Sequence, residues 1–513
     1  MHLYNTLSRR LEELVPKNPG VVSLYCCGPT VYDVPHVGHA RAALVPDLLV
    51  RRLRSVGVEV TYVRNITDVD DKILERAQKN GESPLELSQR MAVVYQEQMR
   101  LVGCVDPSHE PRVSAHLPQI FELVSELIAN GSAYVVDMPD GKRDVYFAVR
   151  NFEGYGKLSR RRLDELLVGA RVEKDEHKHD PLDFALWKGA GPDDWAWESP
   201  WGRGRPGWHI ECSAMSRHYL GHGFDVHTGG MDLIFPHHEN ELAQCEAARS
   251  EAGPFARVWL HNGFVNVDRE KMSKSLGNFV TVSDVLERND PEAFRWFLLG
   301  GHYRGPIQFE SEQLADGRVV FPGVDEAERR VDYLYGALER LAQLESKAAE
   351  AAGTPATQNK ELAALRSLME QAEAQADLAL DDDLNTPVAL AAVGELGRLA
   401  NELCDLAQKR RKDAALQRGA AGVGELLRAA IGKTAGWLGL LQAPPSGYAE
   451  RTRARRLRLR GLSAAEVEQK VQERRDARAA RDFARGDQVR DQLLAQGVTL
   501  QDNPDGTSWT IAQ

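Results

Sequence analysis

The stretch Tyr25–His39, YCCGPTVYDVPHVGH, determines how the rest of this 513-residue chain is organised. It begins inside an apolar run, Val21–Cys27, which predicts a buried strand that is ended by a Gly-Pro pair. Leucines at helical spacing predict a helix after Gly38. His36 and His39 therefore lie where the strand passes into the helix, and a helix N-terminus presents unpaired backbone N–H groups and the positive end of the helix dipole. This arrangement predicts a phosphate site, and hence a nucleotide ligand.

The composition is typical of a soluble globular protein of two or three domains, because 42% of the residues are hydrophobic and 27% are charged. No run approaches the roughly 18 apolar residues that a membrane span needs. The N-terminal residues MHLYNTLSRRLEELVP lack the apolar core of a signal peptide. We therefore expect a cytoplasmic protein without a membrane partner.

Cysteine content and net charge exclude two further classes. Six cysteines in a chain of this length are too few for the disulfide framework of a small secreted domain, which leaves metal binding or plain burial. The net charge of -11 excludes a uniformly basic nucleic-acid coat. A polyanion partner would therefore have to meet a local basic patch.

The order of predicted elements indicates an α/β fold. A second strand over 59–63 follows the first helix and completes one half of a nucleotide-binding βαβ unit. Helical periodicity continues through 71–78, 84–102 and 117–130, and a hairpin is predicted over 133–149. Parallel strand signals resume only at 224–227. Residues 110–205, approximately, are therefore predicted to be an inserted connective segment between two halves of a Rossmann-like parallel sheet.

A possible metal site lies in the segment FPHHENELAQ. Pro236 precedes a helix predicted to begin at His237, and His237 and Glu241 are i and i+4 on that helix, the spacing at which two side chains reach one ion. Cys27 and Cys212 supply possible thiolates. Zinc accepts sulfur, imidazole nitrogen and carboxylate oxygen together, so these four side chains form a chemically reasonable ligand set.

The pattern alone leaves two questions open. The same residues could be structural, with His237 capping the helix, Glu241 on a solvated face and the cysteines buried as small hydrophobes. Cys245 also lies on the same helix face at i+8 from His237, and Cys26 adjoins Cys27. Spacing therefore does not select one set of four ligands.

Two signature motifs and several longer segments resemble a known family. HVGH at 36–39 and KMSKS at 271–275 resemble the paired signatures of class I aminoacyl-tRNA synthetases. The segments CCGPTVYD, NITDVDDK, GWHIECSAM, FPHHENELAQ and DREKMSKSLGN are similar to those of cysteinyl-tRNA synthetases, and the likeness extends to the C-terminal GTSW. The resemblance implies a zinc ion at the floor of the amino-acid site, with four ligands, Cys27, Cys212, His237 and Glu241.

The resemblance also implies a reaction. L-cysteine would be activated by ATP, accompanied by Mg²⁺, to cysteinyl adenylate and then transferred to the 3'-terminal ribose of tRNA(Cys). Zinc would select the substrate thiol, because a hydrophobic pocket separates cysteine poorly from serine. Relatives that proofread carry a much larger inserted domain than the one predicted here. Discrimination is therefore expected in the synthetic site.

Individual roles follow from the same resemblance. His36 and His39 are expected to bind the phosphates of ATP, and Lys274, with Lys271, to neutralise the departing pyrophosphate. The amino-acid site is assigned three residues, Thr67, Trp208 and Asp232. Of these, Thr67 and Asp232 are expected to hold the substrate ammonium. Trp208 either walls the pocket or belongs to the core.

After Gly305 the pattern becomes almost wholly helical and predicts an all-α bundle, with a loop or mobile insertion at 346–359. Residues 451–490 then hold 13 lysines and arginines against 6 acidic residues. Such a run is usually a solvated helix face, but it is also what a phosphate backbone attracts. By resemblance, the terminal domain contacts anticodon bases through three residues, Arg478, Asp487 and Asp502. Phe483 stands where the family often has tryptophan.

The predicted organisation is a Rossmann-like catalytic domain over 1–305, a helical bundle over 306–445 and a small basic mixed α/β domain over 446–513. Two rivals are the cysteine ligase of mycothiol biosynthesis, which lacks an anticodon-binding domain, and a non-catalytic RNA-binding paralogue, in which drift would be expected to damage at least one motif. We expect a monomer whose partners are L-cysteine, ATP and tRNA(Cys).

Overall fold

The computed structural model describes most of the chain. The described residues are 1–163, 177–249, 253–267, 270–271, 279–315, 317–349, 359–503 and 506–512. The chain begins with an antiparallel hairpin, β1 (His2–Asn5) and β2 (Arg10–Glu13). Among the described residues, no helix has the length and apolar character needed to cross a membrane.

A parallel strand-helix-strand unit follows the hairpin. β3 (Val21–Cys26) leads into α1 (Val37–Ser55), which returns the chain to β4 (Glu59–Arg64), parallel to β3. Two further helices, α2 (Asp71–Asn80) and α3 (Pro84–Leu101), complete this half. The prediction that α1 starts after Gly38 is slightly late, because the histidines on either side of that glycine cap the helix and its first residue is Val37.

The inserted segment forms a sheet of its own. α4 (Leu117–Ala129) is followed by the predicted hairpin, β5 (Ala133–Asp137) and β6 (Arg143–Phe147). β7 (Phe184–Gly189) and β8 (Gly204–Pro206) extend it into an antiparallel sheet of order β5-β6-β7-β8. The prediction of a hairpin alone was incomplete, since β8 has three residues, too few for a periodic pattern.

The second half completes the central sheet. α5 (Trp208–Leu220) precedes β9 (Phe224–Gly230), and α6 (Glu239–Ala248) precedes β10 (Ala256–Asn262). The sheet order is β10-β9-β3-β4, with all neighbours parallel, which confirms the predicted Rossmann-like α/β class. Since β4 follows β3 on one side and β9 joins it on the other, the loops beyond these strands meet at a switch point where ligands bind in such folds.

Short elements link the sheet to the helical half. β11 (Val265–Val267), β12 (Glu270–Lys271) and β13 (Ile307–Phe309) form a sheet of order β12-β11-β13. In the described part of the chain between β12 and β13 lie two helices, α7 (Val282–Arg288) and α8 (Pro291–Leu299). A hairpin, β14 (Glu312–Gln313) and β15 (Val319–Val320), follows.

The helical half is a bundle, as predicted. Its helices are α9 (Pro322–Ala349), α10 (Lys360–Asp381), α11 (Thr386–Lys409) and α12 (Ala414–Trp437). Leucine and alanine side chains fill its interior, for example Leu341, Leu403 and Leu427. α9 continues through residues 346–349, which the prediction assigned to a loop, because lysine and alanine there favour helix. The rest of that predicted loop lies almost wholly outside the described residues.

The C-terminal elements pack around a separate core. They are α13 (Pro445–Leu459), α14 (Ala464–Ala479), α15 (Phe483–Ala495), β16 (Val498–Asn503) and β17 (Gly506–Ile511). Val467, Val489 and Trp509 are among the buried residues of that core. β16 and β17 are an antiparallel pair, so the mixed α/β character predicted for this part of the chain is confirmed.

Candidate active site

A cleft of about 470 Å³ opens beyond the carboxyl ends of β3, β4 and β9. Its lining includes both histidines of HVGH, His36 and His39. It also includes three of the four predicted metal ligands, Cys27, Cys212 and His237. The predicted phosphate site and the predicted metal site therefore share one cavity.

The HVGH histidines form the N-terminus of α1. Nδ1 of His36 accepts from the backbone N–H of Gly38 at 3.1 Å, and Nδ1 of His39 accepts from the backbone N–H of His36 at 3.1 Å. This is a reciprocal capping box. The two rings stack with centroids 3.8 Å apart. Capping thus holds both imidazoles at the end of the helix where the dipole favours an anion.

The segment that follows KMSKS is attached to HVGH. The backbone N–H of Val37 donates to the carbonyl of Val280 at 3.1 Å, and that of Val282 donates to the carbonyl of Pro35 at 3.0 Å. The Phe279 ring lies edge-on to His36, with centroids 5.2 Å apart. Of the two predicted KMSKS lysines, Lys271 ends β12 and Lys274 lies outside the described residues. The described contacts thus join residues 279–282, which follow the motif, to HVGH.

Four segments of the chain bring the four predicted metal ligands together. Cys27 follows β3, Cys212 lies on α5, and Glu241 lies in the first turn of α6. The prediction that α6 begins at His237 is wrong by two residues, because His237 lies in the preceding segment Ile234–His238, where Phe235 has non-helical backbone angles. One ligand atom from each of the four side chains lies within 4.8 Å of all the others. The i, i+4 pair survives this correction, with His237 Nε2 3.0 Å from Glu241 Oε1.

The buried donors shift one another's pKa values. The hydrogen bond from Cys27 lowers the pKa of Cys212 to about 6 against the effect of burial. Burial lowers the pKa of His237, but Glu241 and Cys212 outweigh it and raise that pKa to about 10. Burial also opposes ionisation of Glu241, yet the neighbouring histidines hold its pKa well below the usual range. Two thiols, an imidazole and a carboxylate within reach of one another are the donor types that zinc accepts, so the donor set fits a metal ion.

A second group shares two of the donors. Cys27 and Glu241 also form a set with His227 and His238, again with ligand atoms within 4.8 Å. Because the two sets share Cys27 and Glu241, a single ion would be held by one set or the other. Cys212 and His237 line the cleft, whereas His227 and His238 lie fully buried behind it. The set with Cys212 and His237 is therefore the one that a substrate in the cleft can reach.

Cys26 and Cys245, which the spacing alone did not exclude as ligands, belong to neither set. The Cys26 thiol contacts the carbonyl of Cys27 at 3.5 Å, and burial raises its pKa to about 12. The Cys245 thiol contacts the carbonyl of Ser213 at 3.8 Å, and burial raises its pKa as well. Both are buried thiols without a role in the donor group.

Sequence reasoning missed the side chains that orient these donors. His209 Nδ1 lies 3.0 Å from His237 Nδ1, and His227 Nε2 lies 2.9 Å from Glu241 Oε2. Ligand orientation by such neighbours is a general property of metal sites. The available signal was proximity along the chain, since His209 stands three residues before Cys212 in GWHIEC.

The three residues predicted for the amino-acid site all line the cleft. Trp208 is 39% exposed and stacks on His237 with centroids 4.3 Å apart, so it is not a core tryptophan. Thr67 is buried and its hydroxyl accepts from the Asn65 amide at 3.1 Å. Asp232 lies in the short turn after β9.

The three predicted anticodon contacts lie in the C-terminal part, and Arg478 and Asp502 touch each other. Arg478 donates to Asp502 at 3.0 Å, and Asp502 also accepts two hydrogen bonds from Arg474 at 2.8 Å and one from Thr507 at 2.9 Å. Arg474 and Thr507 hold the pKa of Asp502 below its usual range. Asp487 instead forms an exposed pair with Arg490, at 3.0 Å.

Comparisons with known proteins give one consistent family. Residues 13–318 match the family described as tRNA synthetases class I (C) catalytic domain, and residues 377–442 match the DALR domain. The cysteine–tRNA ligase of Anaeromyxobacter sp. (strain K) is 49% identical over 519 residues, which cover 100% of this chain and 99% of the relative. That of Geobacter metallireducens is 46% identical over 511 residues, with 100% and 99% covered.

A solved structure shares the fold at much lower identity. The Mycobacterium tuberculosis methionyl-tRNA synthetase in complex with methionyl-adenylate superposes with a TM-score of 0.62 at 16% identity. The match covers 87% of this chain and 95% of that one. At this identity the likeness speaks for the fold alone.

Proposed function

This chain belongs to the cysteine–tRNA ligase family of class I aminoacyl-tRNA synthetases, and we propose that its cleft carries out both steps of cysteine transfer. In the first step L-cysteine and ATP form cysteinyl adenylate and pyrophosphate. In the second step the 3'-terminal ribose of tRNA(Cys) takes the cysteinyl group. The observation that carries this proposal is the donor group of two thiols, an imidazole and a carboxylate in the same cleft as HVGH.

The donor group suits Zn²⁺, with Cys27, Cys212, His237 and Glu241 as its ligands. Zn²⁺ held there supplies a preference for the thiol of cysteine over the hydroxyl of serine, because it binds sulfur strongly and favours the deprotonated thiol. His209 fixes the His237 ring through Nδ1, which directs Nε2 toward Glu241 and the donor group. Selection thus comes from the chain's own arrangement of ligands at the floor of the cleft.

The phosphates of ATP are assigned to the N-terminus of α1. His36 and His39 use Nδ1 for capping, and each ring would donate to a phosphate oxygen through Nε2. Mg²⁺ would accompany ATP, bound chiefly through phosphate oxygens. Lys271 and Lys274 would neutralise the pyrophosphate as it leaves. The attachment of residues 279–282 to HVGH supports this, since it ties the end of the KMSKS segment to the phosphate site.

The amino acid is held by groups around the metal site. Asp232 would take the substrate ammonium, with Thr67 beside it, and both line the cleft. Trp208 would form a wall, because its ring is exposed and stacks on the ligand His237. Binding at both ends of a small amino acid fixes its carboxylate for attack on the α-phosphorus.

The tRNA substrate would span the whole chain. We assign residues 1–305 to catalysis, 306–445 to the helical bundle and 446–513 to anticodon binding, with Arg478, Asp487 and Asp502 as base contacts. The excess of arginine in residues 451–490 supports a contact with a phosphate backbone. Such a protein would work in the cytoplasm as a monomer.

Neither rival function is supported. The relatives at 46% and 49% identity match the chain over its full length, including the C-terminal part that a mycothiol-pathway cysteine ligase lacks. A non-catalytic paralogue would not be expected to keep a complete donor group beside a capped HVGH.

The first experiment measures transfer of labelled cysteine to a tRNA with the cysteine anticodon, with serine as the paired control and protein purified without chelator. Charging with cysteine and not with serine is expected. Cysteine-dependent ATP–pyrophosphate exchange without charging would instead mean that the acceptor is a small molecule, and absence of both reactions would reject the proposal.

A further inference from the structure

Lys72 is the one lysine or arginine among the described residues that line the cleft. It is the second residue of α2, and its backbone N–H donates to the capping carboxylate of Asp70 at 2.7 Å. Its ammonium lies 5.8 Å from the centroid of the Tyr32 ring, which also lines the cleft. The side chain is exposed. A positive charge is therefore presented to the substrate cavity beside an aromatic wall.

The acidic residues around Lys72 are engaged elsewhere. Asp71 pairs with two cations of the inserted segment at 2.8 and 2.9 Å. Asp33 pairs with Arg76, and Asp70 caps α2, although Asp70 also interacts electrostatically with Lys72 without forming a salt bridge. No carboxylate among the described residues lies within salt-bridge distance of the Lys72 ammonium. A contact with an aromatic ring at this distance is weak compared with an ion pair, so an anionic ligand would displace it readily.

Sheet order places Lys72 across the cleft floor from Asp232. Asp232 follows β9, Lys72 follows β4, and these strands flank β3 on its two sides. The loop after β4 is bound to the loop after β3, since Thr67 donates to the Pro29 carbonyl at 3.1 Å. The cleft thus offers a carboxylate from one side and an ammonium from the other.

We propose that Lys72 binds the anionic oxygens at the reacting end of the substrates, in the reaction assigned above as the proposed function. In adenylate formation a carboxylate oxygen forms a bond to the α-phosphorus and the bond to pyrophosphate breaks. The carboxylate loses its charge in this step, whereas the α-phosphate keeps one. An ammonium at this point keeps an anionic partner before and after the step, so it assists both binding and reaction. Two sources share this chemistry, the carboxylate of the amino acid and the α-phosphate of ATP.

The test is the variant Lys72→Met in ATP–pyrophosphate exchange, with the KM for cysteine, the KM for ATP and kcat measured separately. We expect kcat/KM to fall roughly tenfold to a hundredfold, the loss that removal of one charged hydrogen bond gives. Lys72→Arg should recover part of it. Lys79→Met is the matched control, because Lys79 is an exposed lysine on the last turn of the same helix and does not line the cleft.

The two possible partners of Lys72, the carboxylate of cysteine and the α-phosphate of ATP, predict different changes in KM. A raised KM for cysteine with an unchanged KM for ATP would identify the carboxylate as the partner, and the reverse would identify the phosphate. Values within about twofold of the parent enzyme for all three parameters would overturn the proposal. Thermal unfolding of each variant checks the fold, and if Lys72→Met is unfolded, Lys72→Gln is assayed in its place. Failure of the proposed function is distinguishable, because the parent protein would then show no cysteine-dependent exchange.

Discussion

At the scale of single residues, Gly28 and Asn65 set the floor of the cleft by close packing. A Cβ at Gly28 would lie 1.6 Å from the Asn65 carbonyl oxygen, so no larger residue fits without moving the backbone. The Asn65 side chain accepts from the Gly28 N–H at 2.9 Å and donates to the Thr67 hydroxyl at 3.1 Å. It also accepts from the Cys212 thiol at 3.6 Å. One asparagine thus joins the loops after β3 and β4 to the helix that carries the predicted metal ligand Cys212.

The substitution Cys212→Ser should weaken metal binding and cysteine binding far more than ATP binding. Loss of a neighbour that only orients a ligand costs about 10–100-fold in metal affinity, and loss of a ligand should cost at least as much. Bound zinc and the KM values for cysteine and ATP in pyrophosphate exchange are the measurements. Cys245→Ser is the control, because that thiol is equally buried but lies outside the donor group. Equal losses for cysteine and ATP would argue against a metal role for Cys212.

At the scale of elements, α7 holds the segment after KMSKS in place. Thr281 caps this helix by accepting from the Asp284 N–H at 3.0 Å, while Asp284 accepts from the Thr281 N–H at 2.8 Å. The backbones of Thr281 and His36 also pair with each other as a single antiparallel β-bridge. The cap of a seven-residue helix is therefore connected directly to the N-terminus of α1.

The substitution Thr281→Ala should destabilise the protein by about 1 kcal/mol and slow adenylate formation, because it loosens the attachment of residues 279–282 to HVGH. Asp413→Ala removes the cap of α12, which accepts from the Leu416 N–H at 3.0 Å in the bundle. This control should cost similar stability without slowing the reaction. Thermal unfolding and pyrophosphate exchange are compared for both variants. Equal rates in the two would show that the cap of α7 serves stability alone.

Elements with strong local patterns were predictable, and those made by long-range contacts were not. β3, β4 and the bundle helices follow from apolar runs and helical periodicity in their own residues. β7 pairs with the hairpin strand β6, some forty residues away, and β8 pairs with β7, and no local pattern specifies either pairing. At the site, the i, i+4 spacing of His237 and Glu241 was readable. The sequence did not show that Cys245 lies outside the donor group, because this depends on how α5 and α6 pack against each other.

At the scale of the whole molecule, a charged junction fixes α13 against the rest of the chain. Arginines of α13 meet acids of α9, of α8 and of the residue that caps α8. The pairs join Arg451, Arg455 and Arg456 to Asp290, Glu292, Glu328 and Asp332. Tyr448 stacks on Tyr335 beside them with centroids 3.9 Å apart. Since α8 follows α7 directly, this junction connects the C-terminal part to the helices that border HVGH.

Glu328 is the central residue of that junction. It is fully buried, pairs with Arg455, accepts from Arg456 at 2.8 Å, and accepts from the Asp290 N–H at 3.1 Å. Breaking a buried ion pair by removing one partner costs about 3–5 kcal/mol, because the remaining charge stays buried without compensation. The charges in this junction belong to different helices. Their loss should therefore loosen α13 rather than unfold the parallel sheet.

The substitution Glu328→Gln should separate the two steps of the reaction. Charging of tRNA should fall more than about tenfold, because the C-terminal part, which we propose binds the anticodon, would be displaced and would no longer position the acceptor end. Cysteine-dependent pyrophosphate exchange should stay within about twofold, because the cleft is lined by other residues. Glu326→Gln is the matched control on the same helix, where a side chain 51% exposed pairs with Arg329 and Arg330 and contributes at most about 1 kcal/mol. Parallel losses in exchange and charging would mean that the junction stabilises the whole fold instead of orienting the tRNA.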